Sequence, residues 1–127
     1  MVYFTRHGSI GKAGMRGENP STLVGGLQFP MGITIDFTAN PSKLYWADHL
    51  AMKIQSCDRN GRGVVTVRKL SSQPLGIAVM NGNLYWSLLG PPRVVAAAGN
   101  TTLYTGTAGI THLTSTGGTL PVYQTNP

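Results

Sequence analysis

Leu44-Tyr45-Trp46-Ala47-Asp48 decides the fold, because the chain says nearly the same thing on either side of it. Tyr3-Phe4-Thr5 precedes it at an interval of 42 residues, and Tyr85-Trp86-Ser87 follows at an interval of 40. A second marker, Pro30-Met31-Gly32-Ile33, returns after 44 residues as Pro74-Leu75-Gly76-Ile77. A period near 40 residues, with an aromatic pair and a Gly-Ile step in each unit, is the mark of a repeat architecture and outranks any local reading.

Aligned on their tyrosines, the units agree further out. Ile10 to Gly17 and Ile54 to Gly61 each span an interval of 7 residues, a strand running into a turn closed by glycine. Leu23 and Val67 follow 6 residues later, in the short runs Ser21 to Val24 and Val64 to Arg68. Then come the apolar runs opened by Gly32 and Gly76. Each unit therefore predicts four short strands and no helix, here lettered A (Gly-Ile), B (Tyr-Trp), C (Ile10, Ile54, Val94) and D. A four-stranded antiparallel meander recurring at this period is a blade of a β-propeller, an all-β fold. Strand A is almost continuously apolar, as expected of an innermost strand buried on both faces. The aromatics of B are expected to pack between blades, where large flat side chains bury most area.

Leu44-Tyr-Trp-Ala-Asp48, with Pro30-x-Gly-Ile-x-Ile-Asp36 before it and Ile54-x-x-x-Asp-x-Asn-Gly61 after it, resembles the YWTD repeat of low-density-lipoprotein receptors and nidogen. The resemblance covers roughly residues 1–105. It implies one portion of a six-bladed propeller, an extracellular location, and ligand binding or adhesion rather than catalysis. It also implies structural roles for Tyr3, Tyr45, Trp46, Asp48, Tyr85, Trp86, Gly32 and Gly76. The chain departs from the pattern at the final aspartate, since Arg6 and Leu88 stand where Asp48 does, and Met80 stands for Asp36.

The units are expected at 1–29, 30–73 and 74–106, with Gly109 to Leu113 as a further strand A and 114–127 as a tail of open structure. That sums to twelve strands in the order B-C-D, A-B-C-D, A-B-C-D, A, the content of about three blades and half of a six-bladed ring. Three blades cannot close. Two readings follow. Either a homodimer closes the ring, strand A of one copy pairing with Val2 to Thr5 of the other, or the remaining blades belong to a larger parent chain.

Composition narrows the function. No apolar run approaches the ~20 residues of a membrane span, and Met1 to Arg6 does not read as a signal peptide, so a secreted protein would be a processed or excerpted chain. The net charge of +6 sets ten Lys and Arg against Glu18, Asp36, Asp48 and Asp58. The cations are scattered, with no basic stripe, which argues against a nucleic-acid surface. Cys57 is alone, so no intrachain disulfide forms, and its strand context predicts a buried thiol.

In an up-and-down blade the B–C and D–A loops emerge at one end and the A–B and C–D loops at the other. His7 and His49 share a repeat position, each four residues after its tyrosine, and fall on the B–C/D–A face. Arg6, Phe29, Met31 and Gln73 are expected there too, an apolar and basic mixture suited to a protein or glycan ligand. Imidazoles titrate near neutrality, so the pair offers a pH switch, against the plainer reading of exposed loop polars. A lectin reading uses the same loops, with Trp46 or Trp86 stacked on sugar. Asn100-Thr101-Thr102 is a glycosylation sequon. No nucleophile elbow, phosphate loop or paired carboxylates are present, so no catalytic residue, metal site or cofactor is expected.

Overall fold

The computed structural model describes residues 1–105, 110–114 and 122–125. Its strands are β1 (Val2–Arg6), β2 (Ser9–Ala13), β3 (Ser21–Val24), β4 (Pro30–Asp36), β5 (Lys43–Asp48), β6 (Lys53–Asp58), β7 (Val65–Lys69), β8 (Pro74–Met80), β9 (Asn83–Leu88), β10 (Arg93–Ala96), β11 (Thr101–Thr105), β12 (Ile110–Thr114) and β13 (Val122–Thr125). Among the described residues the one helical element is a 3-10 turn, Ala98–Asn100. The sheets run β1-β2-β3, β4-β5-β6-β7, β8-β9-β10-β11 and β12-β13, all antiparallel neighbours in chain order. This is an all-β fold of propeller blades, B-C-D followed by two complete A-B-C-D units.

The end of the chain corrects the strand count. β12 lies beside β8 and β9 as β8 lies beside β4 and β5, so it is the inner strand of a further blade. Its hydrogen-bonded partner is β13 of the same chain, Leu113 opposite Tyr123. Thirteen strands are thus described rather than twelve, and part of the expected tail is a strand B. The strand expected to cross to a second copy already has an in-chain partner. The signal was Val122-Tyr123-Gln124-Thr125, a fourth tyrosine in register with Val2-Tyr3-Phe4-Thr5. Gln124 stands beside Tyr123 where the other units have an aromatic, so the motif is weak there. Gly109 lies outside the described residues.

Repetition extends to irregularities. Both complete inner strands bulge at the same place, between Pro30 and Ile33 and between Pro74 and Ile77. All three C–D pairings shift register at matched points, Ile10/Gly11, Ile54/Gln55 and Val94/Val95. The intervals of 44 and 40 also have a cause. Asp36 pairs with Lys43 across a six-residue A–B loop, whereas Met80 pairs with Asn83 across Asn81-Gly82. Those two residues have φ of 50° and 78°, the primed turn that matches strand twist.

Strand alternation sends the motif aromatics to opposite neighbours. Leu44 and Trp46 face the first blade and pack with Ile10, Val24 and Cys57, with Tyr3 at the margin. Tyr45 and Ala47 face the third, joining Ile54, Ile77, Leu84 and Trp86. Both tryptophans are 0% exposed. Gly32 makes the inner strands' close approach possible: a Cβ there would sit 2.7 Å from the Leu75 carbonyl oxygen and 2.9 Å from the Ile77 nitrogen.

Candidate ligand face

The B–C/D–A end is built on Asp48. Its carboxylate, 1% exposed, accepts from the amides of Gln28 and Phe29 at 3.0 and 2.9 Å and from Ala51 at 3.0 Å. One side chain thereby ties the D–A loop entering the second blade to that blade's own B–C loop. His49 N–H donates to the Phe29 carbonyl at 2.9 Å, and the matching Leu89 N–H donates to Gln73 at the same distance. In the third blade Leu88 replaces Asp48, and the tie is remade from the other side. Ser72 Oγ accepts from Gly90 N–H at 3.1 Å and donates to the Gly90 carbonyl at 3.0 Å.

On this frame Phe29 stands between the two histidines. Its ring centroid lies 5.2 Å from that of His7 at 66° and 6.2 Å from that of His49 at 63°, both edge-on. His49 Nδ1 donates to the Pro74 carbonyl oxygen at 3.0 Å, which holds the ring across the next seam. His7 is exposed, while Phe29 and His49 are half-buried. Three loops of two blades so present one short aromatic row.

The other expected residues are placed unequally. Met31 and Leu50 are exposed near this end, and the Met31 carbonyl accepts from Thr5 Oγ1 at 2.9 Å across the first seam. Gln73 is half-buried. Arg6 turns away from the row: its guanidinium lies 5.1 Å from the Phe4 ring centroid and donates to the Ser21 carbonyl at 3.1 Å. Asn100 is exposed on the turn before β11, at the opposite, C–D end.

The four acids form no catalytic pair, because each is spent on a turn. Asp36 accepts from Thr38 N–H and Oγ1 at 2.9 and 2.6 Å. Asp58 accepts from the amides of Asn60 and Arg62, and Glu18 from that of Arg16. The Arg62 and Asn60 amides hold the Asp58 carboxyl below its ordinary 3.8. Cys57 is 3% exposed, and burial, followed by the charge of Asp58, pushes its thiol up to about 11. Among the described residues no three His, Cys, Asp or Glu side chains are grouped to hold a metal ion. No helix among them is long and apolar enough to cross a membrane.

A second concavity went unforeseen. A cleft of about 340 Å³ runs along the outer seam of the second and third blades, lined by Arg68, Lys69, Arg93, Trp86, Asn100 and Thr102 among others. The available signal was a double exchange between units. Val24 stands where Arg68 does, and Gln55 where Val95 does.

The chain matches no family model. It is 33% identical over 91 residues to human low-density lipoprotein receptor-related protein 5, a match covering 67% of this chain and 6% of that protein. It is 31% identical over 80 residues to the vitellogenin receptor Yl of Drosophila melanogaster, covering 61% of this chain and 4% of that one. The chain thus spans a small fraction of these curated relatives. Among solved structures, a chain in the crystal structure of a nidogen–laminin complex superposes with a TM-score of 0.73 at 26% identity, covering 84% of this chain and 44% of that one. A luciferin-regenerating enzyme superposes with a TM-score of 0.64 at 14% identity, a likeness of fold alone. Registered aromatic motifs, an amide-binding motif aspartate, these relatives and the nidogen likeness converge: the chain is built of YWTD repeats of the low-density-lipoprotein-receptor class B type.

Proposed function

We propose that this chain is a non-enzymatic, extracellular binding module that takes a protein ligand on its B–C/D–A face. The observation that carries the reading is the aromatic row His7–Phe29–His49, braced by Asp48 beneath it and flanked by exposed Met31 and Leu50. A rigid aromatic anchor among apolar neighbours is the usual centre of a protein interface. Relatives named as a receptor-related protein and a receptor, and the likeness to a chain of a nidogen–laminin complex, support a protein ligand and an extracellular setting. The commitment of all four carboxylates to turns supports a non-catalytic role. The lectin alternative loses its stacking platforms, because Trp46 and Trp86 are sealed between blades.

Surface plasmon resonance of the immobilised chain against purified matrix and serum proteins, laminin among them, tests this. Saturable binding weakened about tenfold by Phe29→Ala, with an unchanged circular dichroism spectrum, is the expected result. Binding indifferent to Phe29, Met31 and His49 substitutions would move the ligand off this face.

The same reading includes ring closure. The inner edge of β1 pairs with no strand among the described residues, and beside it lies a pocket of about 410 Å³ lined by Met1, Tyr3, Ile33, Ile35 and Phe37. A strand from a second copy, or from further blades of a parent chain, would fill that slot.

A further inference from the structure

We infer that the outer cleft between the second and third blades binds a short acidic segment of a partner protein. Arg68, Lys69 and Arg93 converge on this cleft, and no carboxylate of the described residues lines it. Nor does the chain hold an acid in reserve, because Glu18, Asp36, Asp48 and Asp58 are all engaged by amides in turns elsewhere. Three cations gathered without a counter-charge repel one another in the partly desolvated seam, and a bound anion relieves that repulsion.

The cations are prepared for such a ligand. The Arg68 guanidinium is held 5.5 Å from the Trp86 ring centroid and donates to the Ala97 carbonyl oxygen at 3.4 Å. Arg93 Nη1 donates to the Pro91 carbonyl oxygen at 2.9 Å. Each contact occupies one donor of a planar five-donor group whose fork matches a carboxylate. Apolar Leu70, Leu88 and Val95 also line the cleft. That mixture suits an acidic residue with an apolar neighbour, and suits a sulfated sugar poorly.

The preceding seam is an internal control. There Val24 replaces Arg68, and Trp46 Nε1 donates to Gln55 Oε1 at 3.2 Å. At the second seam the Val95 side chain cannot accept, and Trp86 Nε1 is buried without a partner among the described residues. At the first seam the indole N–H is satisfied and the matching positions carry one cation, Lys53 in the place of Arg93, whereas the second seam gathers three cations around an unsatisfied indole. None of His7, Phe29 and His49 lines the cleft, so this inference does not rest on the ligand face.

The test is fluorescence polarisation of the unglycosylated full chain with a labelled Glu-Leu-Glu-Glu-Leu-Glu peptide at about 50 mM salt. Unglycosylated protein is required because Asn100, the sequon residue, stands at the rim. Binding should weaken as salt rises and fall about tenfold with Arg93→Gln. It should fall similarly with Arg68→Gln, be partly kept with Arg68→Lys, and be unmoved by Arg59→Gln. In a Trp46→Phe background the remaining Trp86 emission should change on binding. The Arg93 guanidinium donates to the carbonyl of Pro91, two residues away, and not across a seam, so its variant keeps the test meaningful if Arg68→Gln fails to fold. Equal binding of a Gln-for-Glu peptide, indifference to Arg93→Gln, no binding, or preference for a heparin fragment over the peptide would each overturn the inference.

Discussion

Asp48 shows how much one side chain can carry. Three amides from two loops converge on its carboxylate, and two belong to the segment that positions Phe29. Asp48→Ala strands those donors and should destabilise the chain by about 3 kcal/mol, read from urea denaturation. The same variant should loosen any ligand that uses Phe29. Asp58 gives a pH signature. Its folded carboxyl titrates below the ordinary 3.8, so the unfolded chain takes up the proton first as pH falls. Its contribution is therefore complete above that value and is lost below it, and Asp58→Asn should flatten the acid limb of a stability–pH curve. Cys57 works in the other direction. Its thiol is raised from 9.0 to about 11, so stability is lost as pH climbs through that window, where the unfolded thiol ionises first. At neutral pH Ellman's reagent should label Cys57 only on unfolding; rapid labelling of the native chain would contradict its burial between the first two blades.

Among the elements, the inner strands are the least forgiving. Their bulges carry Gly32 against the backbone of the third blade, where neither the Leu75 oxygen nor the Ile77 nitrogen can rotate aside. Gly32→Ala must push two blades apart and should cost about 2 kcal/mol, seen as a lower urea midpoint. Gly17→Ala is the comparison. Unlike Gly32, Gly17 has a positive φ, 80°, which strains any other residue, but it meets nothing within 4 Å, so its substitution should cost less. An equal loss at both positions would show that the blade contact at Gly32 costs no more than the backbone strain at Gly17.

Across the whole molecule, the inner edge of β1, which has no strand partner among the described residues, is where self-association would begin. An unpaired strand edge beside an apolar pocket is a template for another strand. Val2 is 41% exposed and Met1 60% exposed at that edge. Sedimentation at micromolar concentration should show self-association that Val2→Lys reduces, because a charge on an edge strand opposes pairing. A monodisperse folded monomer would show that the edge is protected in some other way.

The sequence by itself determined the blades. An aromatic pair and a Gly-Ile step at a period near 40 residues leave few folds open, and strand alternation then assigns each aromatic to a neighbouring blade. It also put His7, Phe29 and His49 at one end, since loop order in a meander sets which connections share a face. What it could not give was anything dependent on distance across a seam. That Phe29 lies between the histidines, that Arg6 turns back over Phe4, and that β12 takes β13 as its partner are outcomes of tertiary packing. The cationic cleft belongs with them. Arg68 and Arg93 are 25 positions apart and look scattered along the chain, and only the stacking of one blade on the next brings them into one cleft beside a tryptophan whose N–H has no acceptor among the described residues.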